Sequence, residues 1–348
     1  ITTPDGLKFT LINNGAGYEV SDGSAKIDGV IELPSAYNGK PVIKIASNGF
    51  LNCSKLSGII IPSSVTAIGK DAFKGTAIWD DSNDVVYADK WVVGYKLSIG
   101  DLVLKSDTIG ISDYAFYGKG IVGINLPSSL KYIGANAFEN CNKLTEVIFA
   151  DNGVLETIES YAFARTALTS VSIPETVKTI GSDAFYDCDK LTEVNFADNG
   201  VLETIGSYAF AHTELTSISI PETVKAIGNY AFYNCDGLTE VIFADNGVLE
   251  TIESYAFART ALTSVNIPET VKTIGNRAFD SCKNLTNITV EPENTVYKSD
   301  GNCLIRITDN VLLKGCKNSV IPNYITIIGE GAFSNISNLT SITIPYGV

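Results

Sequence analysis

One short motif recurs along the whole chain and constrains its fold more than any other feature. The motif is Ala-Phe, or Gly-Phe in its first copy. Its phenylalanines are Phe50, Phe73, Phe116, Phe138, Phe163, Phe185, Phe210, Phe232, Phe257, Phe279 and Phe333. In the centre the steps alternate between 22 and 25 residues, so residues 147–193, 194–240 and 241–287 are near-copies. Because one such unit cannot bury its apolar face alone, the repeat predicts a solenoid of about eleven stacked units.

Each unit also predicts its own local structure. The segment from Ser170 to Ile173 alternates polar and apolar residues, which indicates a short strand with one buried face, and Pro174 ends it. The apolar spacing over residues 184–188 is typical of a short helical or 3-10 turn. The predicted fold class is therefore an α/β repeat solenoid with short parallel strands and short helical or 3-10 turns.

Two longer steps, of 43 and 54 residues, interrupt the repeat. Strand-like runs around polar turns near 79–108 and 291–318 predict two β-hairpin insertions. Residues 1–42 lack the motif and are predicted to form an N-terminal β cap, which leaves 43–348 as the solenoid. The chain has no leader and stops after a repeat strand, so we expect a signal peptide removed from the mature protein and further sequence beyond Val348.

Three motifs repeat in register from about Val42 to Val348: Ile-Gly-x-x-Ala-Phe, Cys-x-x-Leu-Thr and Ile-Pro. They resemble the BspA-like leucine-rich repeats of bacterial surface antigens. The resemblance implies a right-handed leucine-rich-repeat superhelix. It also implies a protein that is exported to the cell surface and used for adhesion or protein interaction.

Composition argues against several functions. With 39 acidic and 25 basic residues the net charge is −14, whereas binding of nucleic acid needs clustered cations. No apolar run is long enough for a transmembrane segment. The one histidine, His212, occupies the position of Arg165 and Arg259 in sister units, which indicates a solvated site. We therefore predict no catalytic residue, no cofactor and no metal, and we interpret the Asp-Asn-Gly sequences at 151–153, 198–200 and 245–247 as plain turns rather than calcium loops.

The seven cysteines fall into two groups. Five lie three residues after a repeat Phe, at a position where neighbouring units carry Thr. If each repeat unit forms one rung of the solenoid, successive cysteines of the central block are two rungs, about 9.6 Å, apart. A disulfide needs Cα atoms within about 7 Å, which predicts buried thiols. Cys303 and Cys316 instead face each other if Asp309 and Asn310 form the hairpin turn. For this pair a cross-strand disulfide and two reduced thiols both stay open.

The outward side of the predicted strands is the candidate ligand-facing column. Its residues are Glu146, Ser170, Ser172, Glu193, Asn195, Ser217, Ser219, Glu240, Ser264, Asn266 and Asn287. Its glutamates recur in equivalent copies, whereas acid–base catalysis needs two carboxyl groups in different environments.

Because duplication multiplies a surface, the column suits polyvalent binding. We predict a non-enzymatic, adhesin-like protein, secreted or on the cell surface, that binds protein or glycan on host or neighbouring cells. Two alternatives stay open: a structural spacer, or an accessory repeat array of a larger surface enzyme.

Overall fold

The computed structural model describes residues 3–80, 83–97, 99–337 and 339–348. The chain divides into two compact units, Ile1–Thr166 and Ala167–Val348. Each unit is built from short strands that stack on one another.

The first unit contains most of the departures from the repeat. Its strands are Lys8–Ile12, Gly17–Ser21, Gly29–Glu32, Ala36–Tyr37, Lys40–Ile45, Leu56–Ile60, Ala67–Ile68, Val85–Ala88, Trp91–Tyr95, Ile99–Val103, Gly110–Ile111, Gly120–Leu126, Tyr132–Ile133, Glu146–Phe149 and Thr157–Ile158. Its described helical segments are a 3-10 turn at Asn13–Gly15 and an α-helix at Ala77–Asp80. Gly29–Glu32 already pairs in parallel with Leu56–Ile60. Rung-like pairing thus begins inside the predicted cap, whose boundary at residue 42 stays a prediction.

The second unit is more regular, and no helix occurs among its described residues. Its strands are Ser170–Ile173, Thr179–Ile180, Glu193–Phe196, Thr204–Ile205, Ser217–Ile220, Ala226–Ile227, Glu240–Phe243, Thr251–Ile252, Ser264–Ile267, Thr273–Ile274, Asn287–Val290, Tyr297–Asp300, Cys303–Arg306, Val311–Lys314 and Ile327–Ile328. The two-residue strands, called the short strands below, stack in parallel from Thr179–Ile180 to Thr273–Ile274. The four-residue strands between Ser170 and Val290, called the long strands, show the predicted alternation of exposed and buried side chains.

The segment that carries the Ala-Phe motif is a turn and not the predicted helix. Asp183 and Asp187 both adopt left-handed backbone conformations, with φ of 57°, and a right-handed helix cannot continue through such residues. Alternate amides instead bond to the next rung: the Phe185 amide donates to the carbonyl of Ala209 at 2.8 Å. The structure is therefore a β-solenoid with almost no helix, and the α component of the predicted class is not confirmed. The right-handed sense of the superhelix stays a prediction.

The repeat phenylalanines form the centre of the core. Phe185, Phe210, Phe232 and Phe257 are completely buried. Their rings stack on one another in sequence, with centroids 5.2–5.5 Å apart and planes within 10° of parallel. Phe210 and Phe232 therefore each pack against the ring before and the ring after, which is why the motif tolerates so little change in this part of the chain.

The two irregular regions join the stack through their own strands. Val85–Ala88 and Trp91–Tyr95 pair antiparallel, and Trp91–Tyr95 also pairs in parallel with Gly110–Ile111. In the second unit Cys303–Arg306 and Val311–Lys314 pair antiparallel, and Val311–Lys314 pairs in parallel with Ile327–Ile328. One strand of each antiparallel pair thus takes the place of a rung instead of standing apart from the ladder.

The phenylalanine stack predicts that substitutions at two nearby positions differ greatly in their effect on the free energy of unfolding. Phe210→Ala removes a fully buried ring that packs on both neighbouring rungs, so we expect the free energy of unfolding to fall by roughly 3–5 kcal/mol. Ser219→Ala, on the exposed side of a long strand, should change it by less than about 0.5 kcal/mol. Urea unfolding followed by circular dichroism measures both values. Equal losses in the two variants would contradict the stacking arrangement.

Candidate functional site

The predicted ligand-facing column is exposed throughout. Every one of its side chains occupies an exposed position of a strand, from Glu146 in the first unit to Asn287 in the second. Alternation places these side chains outward because the intervening Val and Ile side chains face the core. The exposed position of the column follows from the sequence pattern, and its role in binding stays a prediction.

The ladder of hydrogen bonds between the long strands of the second unit is not continuous, because these strands pair only in twos. Ser170–Ile173 pairs with Glu193–Phe196, and Ser217–Ile220 pairs with Glu240–Phe243, but the two pairs belong to separate sheets. Each gap in the ladder follows a strand that runs into an Asp-Asn-Gly turn. The strand on its far side ends at a proline, whose nitrogen cannot donate to a ladder. The described long strands of the second unit therefore form separate two-stranded sheets.

A cavity of about 800 Å³ occupies the gap between these two pairs. Four column residues line it: Glu193, Asn195, Ser217 and Ser219. The Asn195 amide donates a hydrogen bond to the Glu193 carboxylate at 3.0 Å, which orients both side chains. The structure thus brings these four residues of the column into one concave site, called the strand cleft below.

The strand cleft is acidic. Three carboxylates line it, those of Glu193, Asp198 and Glu222, and no Lys or Arg occurs among its described lining residues. Phe196 and Ile242 contribute apolar surface to the same lining. A concave surface with this composition attracts cationic or hydroxyl-rich groups and repels anions.

The remaining sequence candidates lie elsewhere. His212 is half-buried between the rings of Tyr186 and Tyr233, with centroids 5.4 and 5.6 Å away, and its Nδ1 lies 3.3 Å from the Asn234 side-chain nitrogen. Arg165 and Arg259 in the sister units had indicated a solvated site. The His212 side chain is instead only partly exposed and packs among aromatic rings. Within the described residues no group of three or more His, Cys, Asp or Glu side chains is arranged to hold a metal ion. No described helix has the length and apolarity to cross a membrane.

Both Cys303 and Cys316 are buried free thiols in this structure. The two strands close on a four-residue turn, residues 307–310, and not on the predicted two-residue turn, so Arg306 pairs with Val311. Beyond a bulge Leu304 pairs with Lys314, which leaves Cys303 and Cys316 out of register. The Cys303 thiol donates to the carbonyl of Gly301, and the Cys316 thiol donates to that of Asn302. The facing arrangement inferred from the sequence is therefore wrong in its register.

The described repeat cysteines form no disulfide, and most of them are buried. The Cys235 thiol lies 3.2 Å from both the Phe210 carbonyl oxygen and the hydroxyl of Thr213. Thr213 itself donates to the same carbonyl at 2.9 Å. Burial raises the pKa of Cys141 to about 12 and the pKa of Cys235 to about 11. Since the thiolate is the reactive form, these thiols are chemically inert near neutral pH.

Sequence reasoning missed two aromatic clusters. In the second unit Tyr208, Tyr230 and Tyr255 stack at 4.6–4.7 Å along the turn side, all with positive φ. In the first unit Trp91 and Tyr132 stack beside a cavity. The tyrosine recurrence was visible in the sequence, but its backbone conformation was not. The Trp91–Tyr132 contact joins residues 41 positions apart, and the repeat pattern does not indicate it.

The chain belongs to the family of the BspA type leucine rich repeat region. That family model matches in six copies, over residues 31–81, 109–202, 203–307 and 307–348. The matches cover more than half of the chain and confirm the resemblance drawn from the motifs. No curated protein matches the chain.

Several solved structures are similar to the chain. A leucine-rich repeat protein from Bacteroides ovatus is 23% identical, with 83% of this chain and 88% of that chain covered and a TM-score of 0.41. The pneumococcal vaccine antigen PcpA is 22% identical, with 98% of each chain covered and a TM-score of 0.41. A leucine rich cell surface protein from Faecalibacterium prausnitzii is 21% identical, with 98% of this chain and 93% of that chain covered and a TM-score of 0.38.

The cysteines predict a simple titration result. The chain denatured without reductant should give seven reactive thiols, because none of the seven described cysteines forms a disulfide. The native chain at pH 8 should react slowly, since burial blocks access and keeps the thiols protonated. Ellman's reagent measures both. A count of five in the denatured chain would show that two cysteines are joined and would contradict this prediction.

Proposed function

We propose that this protein acts outside the cell as a non-enzymatic interaction protein, and that it binds a partner protein through the exposed column of the long strands. The observation that carries the proposal is the strand cleft, where repeated outward side chains line a concave surface. Membership of the BspA type family supports the extracellular setting, because the resemblance implies surface export. The equivalence of the repeated copies favours binding over catalysis, which would require one asymmetric pair of groups.

The acidic and apolar side chains of the strand cleft indicate the kind of partner surface that it would bind. Its three carboxylates lack a nearby cation among the described lining residues, and the whole chain has a net charge of −14. A partner surface with Lys and Arg side chains would pair with Glu193 and Asp198, while Phe196 and Ile242 would contact apolar parts of those side chains. The partner is therefore a protein with a basic patch on the surface of a host or neighbouring cell.

Repetition strengthens this binding. The pair that contains Glu240–Phe243 and the pair that contains Ser264–Ile267 also belong to separate sheets. Their gap follows a second Asp-Asn-Gly turn, at 245–247, with Glu240 in the place of Glu193. Exposed carboxylates at both gaps of one scaffold can engage a repetitive partner at once, so individually weak contacts add through their effective concentration.

A pair of matched double variants tests the proposal. Glu193→Gln with Glu240→Gln removes one exposed carboxylate at each of the two gaps. Binding of the labelled chain to cultured epithelial cells should weaken by roughly fivefold or more, because two exposed charge contacts of about 0.5–1 kcal/mol each are lost. Flow cytometry over a concentration series gives the apparent Kd.

The control is Glu203→Gln with Glu250→Gln, which makes the same charge change at the same 47-residue spacing. These glutamates pair with Lys225 and Lys272 at 2.9 and 2.6 Å, away from the strand cleft. The control should leave cell binding unchanged. Equal weakening in both double variants would attribute the effect to net charge alone, and no cell binding by the unaltered chain would favour the structural spacer.

A further inference from the structure

The first unit contains a cavity of about 890 Å³ where its ladder of strands is interrupted. Ala67–Ile68 pairs with Lys40–Ile45 in one sheet, whereas Trp91–Tyr95 and Gly110–Ile111 belong to another. No described ladder joins Ala67–Ile68 to that second sheet; its Ile68 carbonyl instead accepts the amide of Asp113 at 2.9 Å. Residues of both sheets line the cavity that results.

The cavity wall departs from the repeat in a coordinated way. In the continuous run of short strands in the second unit, the residue before the inward-facing isoleucine is Thr or Ala: Thr179, Thr204, Ala226, Thr251 and Thr273. In the first unit the same column contains Trp91, Gly110 and Tyr132 in register. A Cβ on Gly110 would collide with the Trp91 ring, so glycine is what allows the indole to lie there. The indole then stacks on Tyr132, with centroids 5.4 Å apart and planes 3° from parallel.

The stacked rings of Trp91 and Tyr132 form a rigid aromatic wall of the cavity, and the buried indole N–H of Trp91 is a hydrogen-bond donor in that wall. Trp91 is 1% exposed, and its Nε1–H has no hydrogen-bond acceptor among the described residues. Such an unpaired buried donor costs about 1–3 kcal/mol, and binding sites are where proteins tolerate that cost. Tyr132 is half-buried, so part of its ring faces the cavity that it lines.

Polar groups from both sheets complete the lining. Oδ1 of Asp113 accepts the Ala135 amide at 3.0 Å, which fixes this carboxyl group in the wall. Partial burial raises the pKa of Asp113. Burial and the nearby Asp113 carboxylate raise the pKa of Glu159, whose side chain lies at the rim. Lys44, from the other sheet, opposes both of these effects. Two neighbouring carboxyl groups and an ammonium group therefore face one space.

The charged side chains that line the cavity restrict the net charge of the ligand that it can bind. Glu19, Asp113, Glu156 and Glu159 stand against Lys44 and Lys131, so the lining has an excess of two negative charges. A phosphorylated or carboxylated ligand would be repelled, and a simple cation would meet both lysines. A neutral ligand with many hydroxyl groups can instead donate to the carboxylates and accept from the lysines. The cavity volume of about 890 Å³ lies within the range of small-molecule sites.

We propose that this cavity binds a neutral saccharide, with a sugar ring against Tyr132 and its hydroxyl groups hydrogen-bonded to Asp113 and Glu159. Carbohydrate rings present flat C–H faces that pack on aromatic rings, while their hydroxyl groups need fixed donors and acceptors. The site shares no residue with the strand cleft. It would therefore supply a second specificity, independent of the proposed protein partner.

Saccharide binding is measured on the intact chain. The chain is applied to an array of neutral oligosaccharides, and cellobiose, lactose and N,N′-diacetylchitobiose are titrated by calorimetry. We expect saturable one-site binding of at least one sugar, accompanied by a change in tryptophan fluorescence because Trp91 lies in the wall. Absence of saturable binding in both the array and the titrations would overturn the proposal.

The repeat supplies a matched pair of variants for locating the site. Glu159 and Glu253 lie in identical sequence, since residues 156–169 and 250–263 are the same. Glu159→Gln should weaken saccharide affinity about tenfold, as expected for a lost hydrogen bond to a charged group, and Glu253→Gln should leave it unchanged. Neither substitution touches the core, so both variants should fold. Equal affinities in the two variants would place the saccharide elsewhere and refute the proposed site.

Gly110→Ala adds a second, independent check. The added methyl group displaces the indole of Trp91 from its place beside Tyr132, so saccharide affinity should fall even though no polar group is changed. The cell binding measured for the strand cleft should persist in this variant. Saccharide binding that survives the substitution unaltered, in a variant with the unaltered circular dichroism spectrum, would show that the aromatic wall plays no part.

Discussion

The stacking of one phenylalanine ring per rung is the interaction on which the rest of the structure depends. Within the second unit the rings from Phe185 to Phe279 follow one another at 5.2–5.6 Å. A single rung exposes both faces of its ring to water and is unstable alone, whereas each added rung buries one more face. The stack also sets the pitch at which backbone amides of one turn reach carbonyl oxygens of the next, as Phe185 does with Ala209.

The same stack explains why Cys and Thr exchange freely at one repeat position. Thr213 and Cys235 both donate to the carbonyl of Phe210, one from the same rung and one from the next. The pair satisfies a buried backbone oxygen that neighbouring turns leave available. The cysteines therefore serve packing and hydrogen bonding, which agrees with their free state and with the high pKa that burial gives Cys235.

Repetition and its interruption have different consequences in the two units. In the second unit near-identical rungs repeat an exposed glutamate, Glu193 and then Glu240, on successive strand pairs, and the strand cleft lies beside the first of them. In the first unit the interrupted ladder leaves a cavity that Trp91 and Tyr132 line, and Gly110 leaves room for the indole. One chain thus combines a repeated surface with an irregular cavity.

Period-two alternation and a fixed repeat length depend on local chemistry, so they were enough to predict the repeat, the family and the inward or outward direction of the long-strand residues. They could not exclude a helical turn at residues 184–188, since the left-handed conformations of Asp183 and Asp187 are imposed by bonds to the next rung. The pairing of the long strands in twos and the contact of Trp91 with Tyr132 were visible only in the folded chain. Both depend on contacts between rungs, because stacking energy is shared between residues 20 or more positions apart.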